Sequence, residues 1–189
     1  MPPDKTFART LTNALNPFFI FTALYALVAL AKSTLPAAIL YVSLEALAAA
    51  LVAGYVLLMR RRRRVSGFWI PDRAERLIPA MILLLSFAGL LAALFLLDAP
   101  ESLFLTTLSM GLAAATVAAV TIVWKASAHS AVAGHAAAAG VLLLGPVGAV
   151  FVLLLPLVVW SRVTLGAHTL AQAVVGAGVG AAFAILFLA

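Results

Sequence analysis

The side chains in this sequence best equipped for chemistry are two histidines and a set of cations that interrupt otherwise apolar runs. The stretch SRVTLGAHTLAQ, Ser161 to Gln172, places Arg162 and His168 six residues apart. The stretch KASAHS, 125–130, supplies Lys125, Ser127 and His129, and WIPDRAERLIP, 69–79, supplies Arg73 and Arg76. Cations gathered at one place repel unless an anion joins them. Arginine presents a planar fork that matches phosphate oxygens, and lysine adds a point charge. Ser127 offers a hydroxyl, and a helix starting near His129 would aim backbone N–H groups at an anion. Two imidazoles beside a phosphate suggest phosphoryl transfer: one attacks phosphorus and the other protonates the departing oxygen.

The elements that must position these groups are membrane helices. Of the 189 residues, 66% are hydrophobic and only 10% are charged, too few charges to cover a soluble domain. Apolar runs of about 18 residues or more recur along nearly the whole chain, and the alternation of a β-barrel is missing. The expected fold is all-α: a polytopic transmembrane helical bundle forming a single membrane domain over 1–189. Seven candidate spans cover 14–31, 36–59, 79–97, 103–124, 129–144, 147–160 and 167–188. The fifth and sixth are short and would merge into one long helix, giving six, but Gly145-Pro146 followed by Gly148 argues for a turn. That turn is what allows one shared site. With it, the polar clusters that follow spans two, four and six emerge on the same face. The small-residue stretch VVGAGVGAA, 174–182, suits close helix contact.

Orientation follows from the basic residues. The run Arg60 to Arg64 comes after two spans and so lies on the N-terminal side. Of the 12 Lys and Arg, only Lys32 falls opposite, where Asp98 and Glu101 also sit. The positive-inside rule then puts the N-terminus and the site in the cytoplasm. Anionic headgroups are the nearer partner for the arginine run, and nucleic acid is not expected. The chain has no cysteine, which excludes disulfides and thiolate metal sites. The opening residues show no small-residue cleavage site after a short apolar core, so a cleaved signal peptide is not expected.

Taken together, these residues resemble the type 2 phosphatidic acid phosphatase family, whose fold is shared with vanadium haloperoxidases. Its motifs are Lys-x6-Arg-Pro, Pro-Ser-Gly-His and Ser-Arg-x5-His-x3-Asp. Here the third reads Ser161-Arg162, five residues, His168, three residues, Gln172, and the second reads Ala126-Ser127-Ala128-His129. In the first, Arg76 is followed by Leu77 and Trp69 stands at the lysine position, with Arg73 or Lys125 as the replacement cation. The resemblance covers about residues 69–188, a phosphatase-like core behind two N-terminal spans in 1–59. It implies an integral-membrane lipid phosphatase acting on a lipid phosphomonoester or diphosphate, phosphatidate-like or a polyprenyl diphosphate. His168 would be the nucleophile that becomes phosphohistidine, and His129 the general acid and then base. Arg162, Arg76, Ser127, Lys125 and Arg73 would hold the phosphate. No metal or other cofactor is implied.

Gln172 departs from the pattern, because the family's aspartate orients the nucleophilic histidine. Four residues after His168, Gln172 would share its helical face and accept the imidazole N–H without supplying a charge. Three outcomes follow: slow chemistry, a replacement carboxylate such as Asp72 or Glu75, or a non-catalytic protein that binds or transports lipid phosphate. His135 is expected to be a packing or interhelical hydrogen-bond residue. Glu45, in the middle of the second span, is expected to be hydrogen-bonded inside the bundle. Phe68 and Trp69 read as interface anchors.

Overall fold

The computed structural model describes residues 3–67, 75 and 77–189, and among these it is all-helical, with no strand. The helices are α1 (Pro3–Ala14), α2 (Pro17–Lys32), α3 (Leu35–Arg61), α4 (Leu77–Leu96), α5 (Glu101–Val123), α6 (Ala128–Leu144), α7 (Ala149–Thr164) and α8 (Leu170–Leu188). A short 3-10 turn, Gly145–Gly148, joins α6 to α7.

Local chemistry accounts for the boundaries. Asn16 caps α2, its side chain accepting from Phe19 N–H at 3.1 Å, and Pro17 occupies the first turn, where a missing N–H does no harm. The same break bends the chain by 44° between α1 and α2. Ser127 caps α6, and Thr169 caps α8 in a reciprocal box with Gln172.

The outer helices carry apolar residues on exposed faces, including Leu47 and Leu51 of α3 and Leu85 and Phe95 of α4. Helices apolar on all sides suit a lipid surround. By length and composition, five helical runs can cross a membrane, or six if the bent pair α1 and α2 counts as one. The chain is a multi-pass helical membrane bundle.

α6 is the centre of the bundle and touches α2, α5, α7 and α8. Its contact with α8 is backbone on backbone. A Cβ on Gly134 would collide with the carbonyl of Ala177, and one on Gly180 with the carbonyl of Ala131. The Gly/Ala stretch of α8 therefore makes the close approach its composition suggests, since small residues let backbones meet in the absence of a hydrophobic drive.

The 37 residues from Ala128 to Thr164 form a hairpin, although length and composition alone allow a single span. A continuous rod of that length would reach about 55 Å, well past a hydrocarbon core of about 30 Å. Instead Gly145 adopts φ +57°, and Gly148 packs so tightly on the Gly140 backbone that no side chain fits between them. α7 thus returns along α6 and brings its last turn back to the start of α6.

Two interior polar groups bind helices together. Ser109 Oγ and His135 Nε2 share a hydrogen bond of 2.8 Å between α5 and α6, both residues being fully buried. The Thr22 hydroxyl donates to both Glu45 carboxyl oxygens, at 2.8 and 3.1 Å, between α2 and α3. Both residues hold the structural hydrogen bonds expected of them. α1 was not anticipated from sequence. It lies against α7.

Candidate functional site

Three backbone segments build the site: the link from α5 to α6, the last turn of α7, and the loop that enters α8. The first begins where α5 stops at Val123. Lys125 is half-buried in the link, and Ser127 then starts α6 with its side chain turned back onto the helix. The Ser127 Oγ accepts from the Ser130 N–H at 3.3 Å and the Ser130 hydroxyl at 3.0 Å. His129 follows in the first turn, 6% exposed.

The second and third segments form one tight reversal. Arg162 sits in the last turn of α7, 7% exposed. Its carbonyl accepts the N–H groups of Ala167 and His168, at 3.1 and 3.3 Å, so the chain folds back over it. Gly166, at φ +67°, supplies the left-handed step this reversal needs. His168 is left half-buried, just before the N-cap Thr169.

The segments meet. The Ser127 N–H donates to the Gln172 carbonyl at 3.2 Å, and Gly176 lies under the Ser127 carbonyl so closely that an added Cβ would sit 2.5 Å from its oxygen. Arg162 and His168 both lie within electrostatic reach of the His129 ring. Lys125, His129, Arg162 and His168 are all engaged by neighbouring groups. Residues more than thirty positions apart in sequence thus gather at one end of the α6–α7–α8 unit. Two imidazoles and a guanidinium in such proximity suit an anion with several oxygens.

One local expectation changes. His168 precedes the N-cap of α8, so it has no i, i+4 relation to Gln172 on a common helix. The Gln172 side-chain oxygen Oε1 instead accepts the Thr169 N–H at 3.1 Å, while the Thr169 hydroxyl accepts the Gln172 N–H at 3.3 Å. Thr169 at the start of a long apolar run, with Gln three residues on, is a capping-box signature that engages that oxygen. Ser127 caps α6 through its oxygen, which leaves its own hydroxyl hydrogen to donate.

Arg73 and Arg76 lie outside the described residues, as do Phe68, Trp69 and Asp72. Glu75, the other candidate carboxylate, accepts from both the N–H and the hydroxyl of Ser66, at 2.8 and 2.9 Å. Among the described residues no group of His, Asp and Glu is arranged to hold a metal ion.

One participant was missed by the sequence reading. Thr12 of α1, 4% exposed, donates its hydroxyl to Ser161 Oγ at 2.9 Å, directly beside Arg162. Ala8, Thr12 and Leu15 recur at helical spacing, which was the available signal.

Comparison with protein-family models, with curated proteins and with solved structures finds no match to this chain.

Proposed function

We propose that this chain is an integral-membrane lipid phosphatase, with its N-terminus and site on the cytoplasmic side. The substrate is a lipid phosphomonoester or diphosphate, phosphatidate-like or a polyprenyl diphosphate. The headgroup enters the cluster where the start of α6, the end of α7 and the start of α8 meet, while the tail stays in hydrocarbon. The observation that carries this reading is the meeting of His129, Arg162 and His168, contributed by two separated motifs.

In the proposed cycle the His168 imidazole attacks phosphorus, and the bond from phosphorus to the leaving oxygen breaks. His129 gives its proton to that oxygen, releasing the lipid alcohol, or the lipid monophosphate when the substrate is a diphosphate. His129 then takes a proton from water, which attacks the phosphohistidine and frees inorganic phosphate and the His168 ring. Arg162 and Lys125, with Arg73 and Arg76, balance the charge on the transferring group.

Purified protein in detergent, given phosphatidate or a polyprenyl diphosphate, should release phosphate, and His168→Ala should abolish that release. Brief exposure to radiolabelled substrate followed by denaturation should trap label in an acid-labile, alkali-stable bond. Folded, monodisperse protein that releases no phosphate from either lipid overturns the proposal.

A second reading is favoured by Gln172, an uncharged side chain where the resembled family has an aspartate, its oxygen serving the α8 cap. On that reading the cluster binds or transports lipid phosphate without cleaving it. Gln172→Asp separates the two: a large gain in turnover marks a weakened phosphatase, and unchanged inactivity with retained lipid-phosphate affinity marks a binder.

A further inference from the structure

α1 is joined to the candidate site by a buried hydrogen bond across 149 positions of sequence, from the Thr12 hydroxyl to Ser161 Oγ at 2.9 Å. Both residues are nearly inaccessible, at 4% and 1% exposure. Ser161 passes the restraint on, its own hydroxyl donating to the Val158 carbonyl at 2.8 Å in the last full turn of α7. Arg162 is the next residue, and its carbonyl holds the amides of Ala167 and His168. A continuous series of bonds therefore runs from α1 to the backbone of both the candidate phosphate ligand and the candidate nucleophile. Phe7 and Trp160, with ring centroids 5.9 Å apart, seat the same helix one turn further along. The α1 face that carries Lys5 and Arg9 is exposed.

We infer that Thr12 is a positioning residue for the site: docked α1 fixes the end of α7 through Ser161, and so sets where Arg162 and His168 stand. This rests on the proposed phosphatase reading for its catalytic consequence, but not for its structural one. A helix end gripped only by its own backbone frays. A third-party hydroxyl, buried away from water, suppresses that opening.

The test uses the full chain in detergent micelles with Thr12→Val, which keeps the shape and removes the donor, and Thr12→Ser, which keeps the hydroxyl. Amide hydrogen exchange of the 160–170 segment is read by mass spectrometry, alongside phosphate release from phosphatidate micelles. Thr12→Val should speed exchange in that segment roughly fivefold, the change one ordinary hydrogen bond commands, while α3, α4 and α5 keep their wild-type rates. kcat should fall by a similar factor or more with a smaller change in KM, and Thr12→Ser should restore both. Exchange in Thr12→Val that matches wild type overturns the inference, and so does a rise of equal size in every helix. If the wild-type protein releases no phosphate, the phosphatase reading fails while the exchange result still decides the role of Thr12.

Discussion

The backbone N–H of Ser127 donates to the carbonyl oxygen of Gln172 at 3.2 Å, fastening the segment before α6 to the first turn of α8. Neither side chain is needed for that bond. What it requires is that the two backbones approach closely, and Gly176, one turn beyond Gln172, provides the room. The registry of His129 against His168 therefore depends on a glycine that carries no chemistry.

Gly176→Ala should accordingly injure the site more than the fold. Its Cβ would lie 2.5 Å from the Ser127 carbonyl oxygen, so the α6 start must shift. The expected destabilisation is about 1–3 kcal/mol, the usual range for overpacking. Affinity for lipid phosphate should fall by a larger factor than stability alone explains. Gly178→Ala is the control, because nothing lies within 4 Å of an added Cβ there. It should be neutral or raise stability by up to about 1 kcal/mol through helix propensity. Thermal unfolding in detergent, paired with lipid-phosphate binding, distinguishes the two variants.

Gln172 makes a different prediction. Its side chain closes the α8 capping box, so Gln172→Ala should lower stability by about 0.5–1 kcal/mol. Gln172→Glu keeps the reciprocal bond and adds a negative charge at a helix N-terminus, which should recover or exceed the wild-type midpoint. A Gln172→Ala midpoint equal to wild type would show that the cap contributes nothing.

The architecture was largely legible because composition in a membrane speaks directly: apolar runs mark helices, and Gly145-Pro146 marks the hairpin on which the shared site depends. The pairing of the KASAHS and SRVTLGAHTLAQ segments was legible for the same reason, since each sits at a helix end. What the sequence hid is local competition for hydrogen bonds. Spacing put Gln172 four residues after His168, but Thr169 claims the helix start and leaves His168 outside it. α1 was hidden differently. Its polar Thr12 reads as solvated until a partner 149 positions away buries it.

Ser109→Ala should weaken the bundle without touching the site. The change leaves the buried His135 Nε2 without the Ser109 hydroxyl, in a fully enclosed position between α5 and α6. In soluble proteins such a loss costs about 1–3 kcal/mol, but interhelical bonds in membranes average about 0.6 kcal/mol, because the unfolded helices also find partners in lipid. A loss near 1 kcal/mol is expected by denaturant titration in mixed micelles. Lipid-phosphate binding and hydrolysis should stay at wild-type levels. A large loss of turnover with intact stability would instead assign His135 to the reaction.

The hairpin yields the most direct prediction, because the chain contains no cysteine and single thiols can be introduced without background. If α6 and α7 form a returning pair across the bilayer, Val147 at the turn and Val163 at the end of α7 open to opposite compartments, and both are exposed. Ser66, exposed beyond the arginine run, should share the side of Val163. In sealed inverted vesicles or intact cells, a membrane-impermeant maleimide should label Val147→Cys from outside and reach Val163→Cys and Ser66→Cys only from the cytoplasmic face. Labelling of Val147→Cys and Val163→Cys from the same side would mean that the pair does not cross the bilayer. Labelling of Val163→Cys and Ser66→Cys from the outer face would reverse the orientation while preserving the shared site. Only if Ser66→Cys and Val163→Cys separate would the arginine run and the histidine cluster belong to different leaflets, and the cytoplasmic lipid-phosphate site would then lose the topology it requires.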